Sequence, residues 1–486
     1  MSEAVRNLEP KAMWNHFADL NAVPRPSKKE ERVIEFAKNF GESLGLSTII
    51  DEVGNVIIKK PASPGMENRQ TIVLQSHLDM VHQKNASTNF DFDQEGIKMY
   101  VDGDWVRADG TTLGADNGIG VASIMTLLSS SDIAHPPLEA LFTIDEETGM
   151  TGAMGLKGGL LEASIMLNLD TEDDDELTIG CAGGIDVTAS GLYTEKETPA
   201  NSVAFKVTVN GLTGGHSGMD IHRGRGNANK LMNRLLMRAV NEYGISINAI
   251  NGGSLRNAIP RESFAIVCVA NDQEQGFKAW LNEFETEIKQ EHNTTDPNLK
   301  VSIDSVERPA KVLKADFQIG LLRAIYGCPV GIYRMSPDIE GLVQTSNNLA
   351  RVLVENGEYT VQCLTRSSVD SEKLDEAESI KALFELIGSK VEFGGSYPGW
   401  APRPAAAIVK TMSDLYKKLF NEDAHVMACH AGLECGILGT NYPEMEMISF
   451  GPNIRGAHSP DECVQISSVH KYWTLLIETL KHIPEA

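Results

Sequence analysis

Five short segments carry residue types that can ligate a divalent metal or move a proton: Ser76-His77-Leu78-Asp79, Gly114-Ala115-Asp116-Asn117-Gly118, Asp145-Glu146-Glu147, Asp170-Thr171-Glu172 and Ala457-His458-Ser459. Four of them follow apolar runs. In an extended chain residues two apart point to the same side, so His77 and Asp79 can touch. A carboxylate that accepts from one imidazole nitrogen fixes the tautomer and leaves the other nitrogen for a metal. Each segment also has a plainer local reading. His-x-Asp is an ordinary strand-end pair, Asp116 in a Gly-rich turn before a helix reads as an N-cap aspartate, and acidic groups after strands are often solvated loop ends, as Asp173–Glu176 are read here. The coincidence changes the balance, because ligands gather at the carboxyl ends of strands in an α/β sheet. Two histidines and several carboxylates without a thiolate suit a pair of zinc ions sharing one bridging carboxylate. Such ions, about 3.5–4 Å apart, polarise a carbonyl and acidify a shared water, with a remaining carboxylate as base. The chemistry implied is hydrolysis of an amide.

The elements that must position these groups alternate between strand and helix. Trp14–Leu20 and Glu30–Leu44 have helical apolar spacing around the breaker Val23-Pro24-Arg25-Pro26. Val56–Ile58, Thr71–Gln75, Ala140–Ile144 and Ile165–Leu169 read as buried strands, with a helix over Asn117–Leu128. After Gly180-Cys181-Ala182-Gly183-Gly184 the texture shifts to alternating strands and long charged helices, and it shifts back at the Pro-rich stretch Tyr397–Pro404. The expected architecture is an α/β catalytic domain in two parts, 1–185 and 401–486, with an inserted α+β domain over 186–400. Inside the insert, Ser254–Pro260 leads into the strand Ser263–Ala270 and the helix Gln273–Lys289. Ser346–Ala350 leads into Tyr359–Leu364 and the helix Asp370–Leu386. These read as two similar ββα units, consistent with an internal duplication.

The 486 residues, 42% of them hydrophobic, can bury more than one core. A formal charge of -24 argues against nucleic acid or an anionic membrane as partner, since the long-range field repels both. The most apolar helical stretch, Ile119–Leu128, is too short for a bilayer that needs about 20 such residues. No basic-then-apolar leader opens the chain, and seven cysteines without a Cys-x-x-Cys pair read as reduced thiols, so the cytoplasm is the expected location. The glycine spacing of dinucleotide sites and the lysine of phosphate-binding loops are absent. Cys429 beside His430 is not a catalytic dyad by adjacency, because neighbours on a helix point about 100° apart. His222 reads as a surface or packing residue.

With these motifs assembled, the sequence resembles the co-catalytic zinc exopeptidases related to aminoacylase and carnosinase, and within them the branch that cleaves Xaa-His dipeptides. The resemblance spans Asn21-Ala22-Val23-Pro24-Arg25-Pro26-Ser27 to Ala457-His458-Ser459-Pro460-Asp461-Glu462, and Ser76–Val81, Asp145–Gly149 and Gly214-Gly215-His216-Ser217-Gly218 are specific in combination. It implies that Asp116 bridges two Zn2+ ions, with Co2+ or Mn2+ as substitutes. His77 and Asp170 would hold one ion, Glu147 and His458 the other. Asp79 would orient His77, and Glu146 would be the general base. A cis peptide at Asp116-Asn117 is implied as well. From the inserted lid domain, His216 would stabilise the oxyanion, Asn257 and the backbone of Gly432 would contact substrate, and Arg366 would clamp its carboxylate. The implied activity is that of a dipeptidase for small peptides ending in histidine, β-alanyl-histidine included. The alternative is an N-acyl amino acid deacylase with the same metal chemistry. Many relatives have a lid of half this size and dimerise through it. A homodimer is compatible with this chain, but the longer insert makes a partner's histidine unnecessary.

Overall fold

The protein is described by a computed structural model that covers residues 2–486. It divides into two compact units. The first holds the chain up to Gly180 with Trp400–Ala428 and Leu433–Ala486, and the second holds Cys181–Gly399 with Cys429–Gly432.

Among the described residues, the first unit is built on an eight-stranded sheet in the order Ser47–Ile50, Val56–Lys60, Leu138–Thr143, Ile72–His77, Ile165–Asn168, Glu446–Ser449, Glu176–Cys181, His425–Cys429. Ile72–His77 runs parallel to both of its neighbours, and Glu446–Ser449 runs parallel to Ile165–Asn168. All residues of the three central strands are buried. That explains their near-continuous apolar runs, since a parallel sheet is covered on both faces. The strand expected to stop at Gln75 continues through Ser76 and His77. Its polar end survives burial because Gln75 donates to Glu434 and accepts from Asn168.

The helix Ala115–Ser129 packs on Ile72–His77 and on the helix Lys11–Asn21. It is buried on nearly every side, which is why it carries apolar residues all round rather than a stripe. A hairpin of Ile454–Arg455 and Cys463–Gln465 is tied into a small four-stranded sheet through Trp105–Ala108, an element that apolar periodicity does not announce. No helix among the described residues is long and apolar enough to cross a membrane.

The second unit centres on a nine-stranded sheet. From one edge the strands run Lys300–Val306, Ser202–Asn210, Ser263–Ala270, Ser246–Gly253. From the other they run Lys390–Tyr397, Gly183–Leu192, Glu358–Ser367, Val343–Glu355, and the ninth strand, Gly331–Met335, pairs with part of Val343–Glu355. The halves meet where Ser246–Gly253 pairs antiparallel with Val343–Glu355. Helices fall at matching places in both halves: Ala228–Tyr243 with Ala315–Gly327, and Glu274–Glu291 with Asp370–Glu385. The repeat of order and connection is the topology that two ββα-containing units produce. One expected detail differs. Ser346–Ala350 is not a lead-in turn like Ser254–Pro260 but the middle of the strand Val343–Glu355, which pairs on both edges and keeps these polar residues buried.

Candidate active site

Parallel pairing brings three strand ends of the first unit to one edge. His77 is level with Thr143, and Gln75 with Asn168, so the segments that follow carry Asp79, Glu146, Glu147 and Asp170 to the same place. Asp79, fully buried, ties them together. Its Oδ1 lies 3.3 Å from His77 Nδ1 and accepts the Glu146 backbone N–H at 3.0 Å. Its Oδ2 accepts the Glu147 N–H at 3.3 Å and the Ser27 hydroxyl at 2.8 Å. A proton on His77 Nδ1 facing this carboxylate leaves Nε2 turned toward Asp116 Oδ1 at 3.1 Å and Asp170 Oδ1 at 3.5 Å.

Asp116 does not cap the helix. The helix begins with Gly114 in the left-handed region at φ 70°, and the backbone of Asp116 and Asn117 departs from helical angles across a cis peptide bond. The N–H groups of Leu113, Gly114, Ala115 and Asp116 are taken instead by the buried carboxylate of Glu462, at 2.7, 3.0, 2.8 and 3.3 Å. The side chain of Asp116 is thereby released to face both histidines: Oδ2 lies 3.3 Å from His458 Nε2, whose other neighbour is Glu147 Oε2 at 2.9 Å. His458 sits at the tip of the hairpin Ile454–Gln465, with φ 63°. Asn117 Nδ2 donates to Asp170.

Arg25 secures the turn from below. Its Nη1 donates to the carbonyls of Leu78 and Asp79 at 3.0 Å each, and its Nη2 to Gly114 O at 2.6 Å and Asn21 Oδ1 at 2.9 Å. Burial lowers its pKa to about 10, which leaves it charged at neutral pH.

The cluster carries more negative charge than its protein partners neutralise. Among the described residues, the ion pairs of Asp116, Glu147 and Asp170 are all with His77 and His458. Burial, then the charge of Asp116, pushes Glu147 up to about 7. Burial also pushes Glu146 well above the usual carboxylate range, against the pull of His77. Burial and Asp116 push the adjacent Glu172 to about 8. Burial disfavours the charged form of His77, but Asp170, Asp116 and Asp79 outweigh it and raise its pKa. Asp116 and Glu147 raise His458 to about 11. Surplus carboxylates driven toward protonation beside two histidines are the setting that a divalent cation relieves. The sets His77/Asp116/Asp170, Asp116/Glu147/His458 and His77/Glu146/Glu147 each place their ligand atoms within 4.8 Å of one another. Nitrogen and oxygen donors without sulfur fit zinc and similar ions.

The other expected residues lie in the second unit. Nδ1 of His216 accepts from the N–H groups of Gly218 and Met219 at 3.1 and 3.0 Å, so its proton resides on Nε2. Asn257 is adjacent to this turn, its carbonyl accepting from Ser217 N–H at 2.8 Å. Arg366 is buried in Glu358–Ser367, and Gly432 ends the short Cys429–Gly432 segment. His430 of that segment meets Ser346 Oγ through Nε2 at 2.7 Å, while Cys429 Sγ points to Ala431 O, so the two neighbours serve different partners.

Comparison with known proteins places the chain in a family. The model for peptidase family M20/M25/M40 matches residues 73–482. The chain is 44% identical over 485 residues to the cytosol non-specific dipeptidase of Escherichia coli (strain K12), with 100% of both chains covered. The crystal structure of aminoacylhistidine dipeptidase from Vibrio alginolyticus matches with a TM-score of 0.92 at 42% identity, covering 100% of each chain. A Staphylococcus aureus tripeptidase shares the fold at 16% identity and a TM-score of 0.57, over 98% of this chain and 99% of that one. The carboxylate-rich cluster at the strand ends thus sits in a chain that belongs to peptidase family M20/M25/M40, a metallopeptidase.

Proposed function

We propose that this metallopeptidase is a cytosolic di-zinc dipeptidase that cleaves Xaa-His dipeptides, β-alanyl-histidine among them. The observation that carries the reading is Asp116, whose two oxygens face different histidines, each accompanied by a second carboxylate. Asp116 would bridge two ions, with His77 and Asp170 on one and Glu147 and His458 on the other; Co2+ or Mn2+ could replace zinc. When bound, the ions supply positive charge that polarises the scissile carbonyl and acidifies water. Glu146, held by its backbone N–H on Asp79, takes the proton of the attacking water and passes it to the leaving amine. The Nε2–H of His216 is a donor suited to the developing oxyanion. Asn257 and the Gly432 backbone contact the substrate, and Arg366 takes its terminal carboxylate.

The names of the two full-length relatives support a dipeptide substrate and a cytosolic setting, and one of them supports the histidine preference. The test is a panel of dipeptides with and without C-terminal histidine, plus acetyl-amino acids, assayed after chelation and again after zinc add-back. Loss and recovery of activity with a preference for Xaa-His is the expected result. Equal turnover of all dipeptides would remove the histidine preference, and turnover of acetyl-amino acids alone would make the chain a deacylase.

A further inference from the structure

Across the sheet of the second unit, four positions fall in one row. Ser346 lies opposite Arg366, Arg366 opposite Gly184, and Gly184 opposite Tyr397. Residues directly opposite on neighbouring strands project to the same face. Gly184 has no side chain, and over it Arg366 Nη1 meets Tyr397 Oη at 2.8 Å. A Cβ at Gly184 would stand 2.7 Å from the Tyr397 Cζ and Oη atoms, so the glycine is what lets the phenol lie there.

Arg366 is a buried cation in need of an anion. It is 4% exposed, and its Nε has no hydrogen-bond partner among the described residues. The acid whose charge reaches it, Asp186, is already paired with Arg256 at 3.2 Å. Burying a guanidinium without a carboxylate is costly unless an anion completes it. The phenol adds a second donor. A guanidinium only donates, so Tyr397 Oη accepts from it and keeps its own O–H for another acceptor. The backbone of Tyr397 is also anchored. Buried Lys373 donates to Tyr397 O at 2.6 Å and to Asp370 Oδ1 at 2.8 Å, and Asp370 Oδ1 accepts the Gly399 N–H at 3.1 Å.

We propose that Tyr397 and Arg366 form a two-residue clamp for the terminal carboxylate of the substrate, with Tyr397 holding the guanidinium in place and giving its O–H to the same anion. The inference rests on the dipeptide reading and extends it to a residue that the metal-site motifs do not reach.

The experiment compares kcat/KM for a dipeptide and for its C-terminal amide in the metal-loaded wild type, Tyr397→Phe and Arg366→Met, with thermal melting as a check on folding. Phenylalanine keeps the ring and removes only the hydroxyl. The preference for the free acid over the amide should fall about tenfold in Tyr397→Phe, the size of one charge-assisted hydrogen bond, and further in Arg366→Met, mainly through KM for the acid. A fall in Arg366→Met alone overturns the role of Tyr397 and leaves the dipeptide reading standing. No fall in either variant removes the carboxylate role of Arg366 and the clamp with it.

Discussion

Glu462 and Asp116 are joined through the backbone: the two oxygens of the buried Glu462 carboxylate accept four consecutive N–H groups, the last of them that of Asp116 at 3.3 Å. The helix that follows therefore starts without using its own aspartate as a cap, and Asp116 is left to face His77 and His458.

Removing that carboxylate should disturb the cluster without touching any proposed ligand. Glu462→Ala orphans four donors, three of them buried and each of those worth about 1–3 kcal/mol when unsatisfied. It should weaken zinc binding by about 10–100-fold, as loss of groups that orient ligands does. Glu462→Gln keeps one accepting oxygen and should fall between. Competition with a chromophoric chelator reads the affinity; equal zinc affinity in all three proteins would show that the cap does not position Asp116.

Asp79 bears on two parts of the site at once, His77 Nδ1 and the backbone of Glu146 and Glu147. In Asp79→Asn the amide offers one acceptor oxygen where two were used, and its NH2 group opposes a proton on Nδ1. Zinc affinity and turnover should both fall by about 10–100-fold. If turnover at saturating zinc equals that of the wild type, His77 does not depend on Asp79 for its tautomer.

What was legible in the sequence follows from where the physics is local. His77, Glu146, Glu147 and Asp170 stand directly after apolar runs, and a parallel sheet must bring such ends to one edge, so their meeting could be read from order alone. The local reading of Asp116 as a cap fails because its competitor, Glu462, lies 346 residues away in sequence. In the sequence Arg25 is no more than part of the breaker Val23-Pro24-Arg25-Pro26. Its role depends on carbonyls at Leu78, Asp79 and Gly114 that converge only in the fold. The row Ser346–Arg366–Gly184–Tyr397 depends on strand register, which no single segment encodes.

The general base is tested by separating chemistry from metal binding. Glu146 makes no ion pair with His77 or His458 among the described residues, whereas Asp116, Glu147 and Asp170 do. Glu146→Gln should lower kcat by about 10²–10⁴-fold, the usual contribution of a positioned base, with two zinc ions still bound by elemental analysis. Loss of metal in step with activity would instead make Glu146 a ligand, a role that the grouping His77/Glu146/Glu147 leaves geometrically open.

A pH effect independent of the metals is expected from Glu376 in the second unit. Its side chain is fully buried and neither carboxylate oxygen has a hydrogen-bond partner among the described residues. Burial, with the charges of Cys363 and Glu372, pushes its pKa from 4.5 to about 8. Below about pH 4.5 both folded and unfolded chains hold the proton, and Glu376 costs nothing in charge. As pH rises from there toward 8 only the unfolded chain releases it, so stability falls, by about 3 kcal/mol at pH 7. Above 8 the loss is complete and constant. Glu376→Gln mimics the protonated acid and cannot titrate. Between pH 5.5 and 7.5 the unfolding free energy of the variant, measured on the full chain with zinc bound, should decline less than that of the wild type. Because both proteins share every other titrating group, parallel declines would mean that Glu376 is already ionised in the folded state at pH 5.5 and that its burial is relieved by solvent.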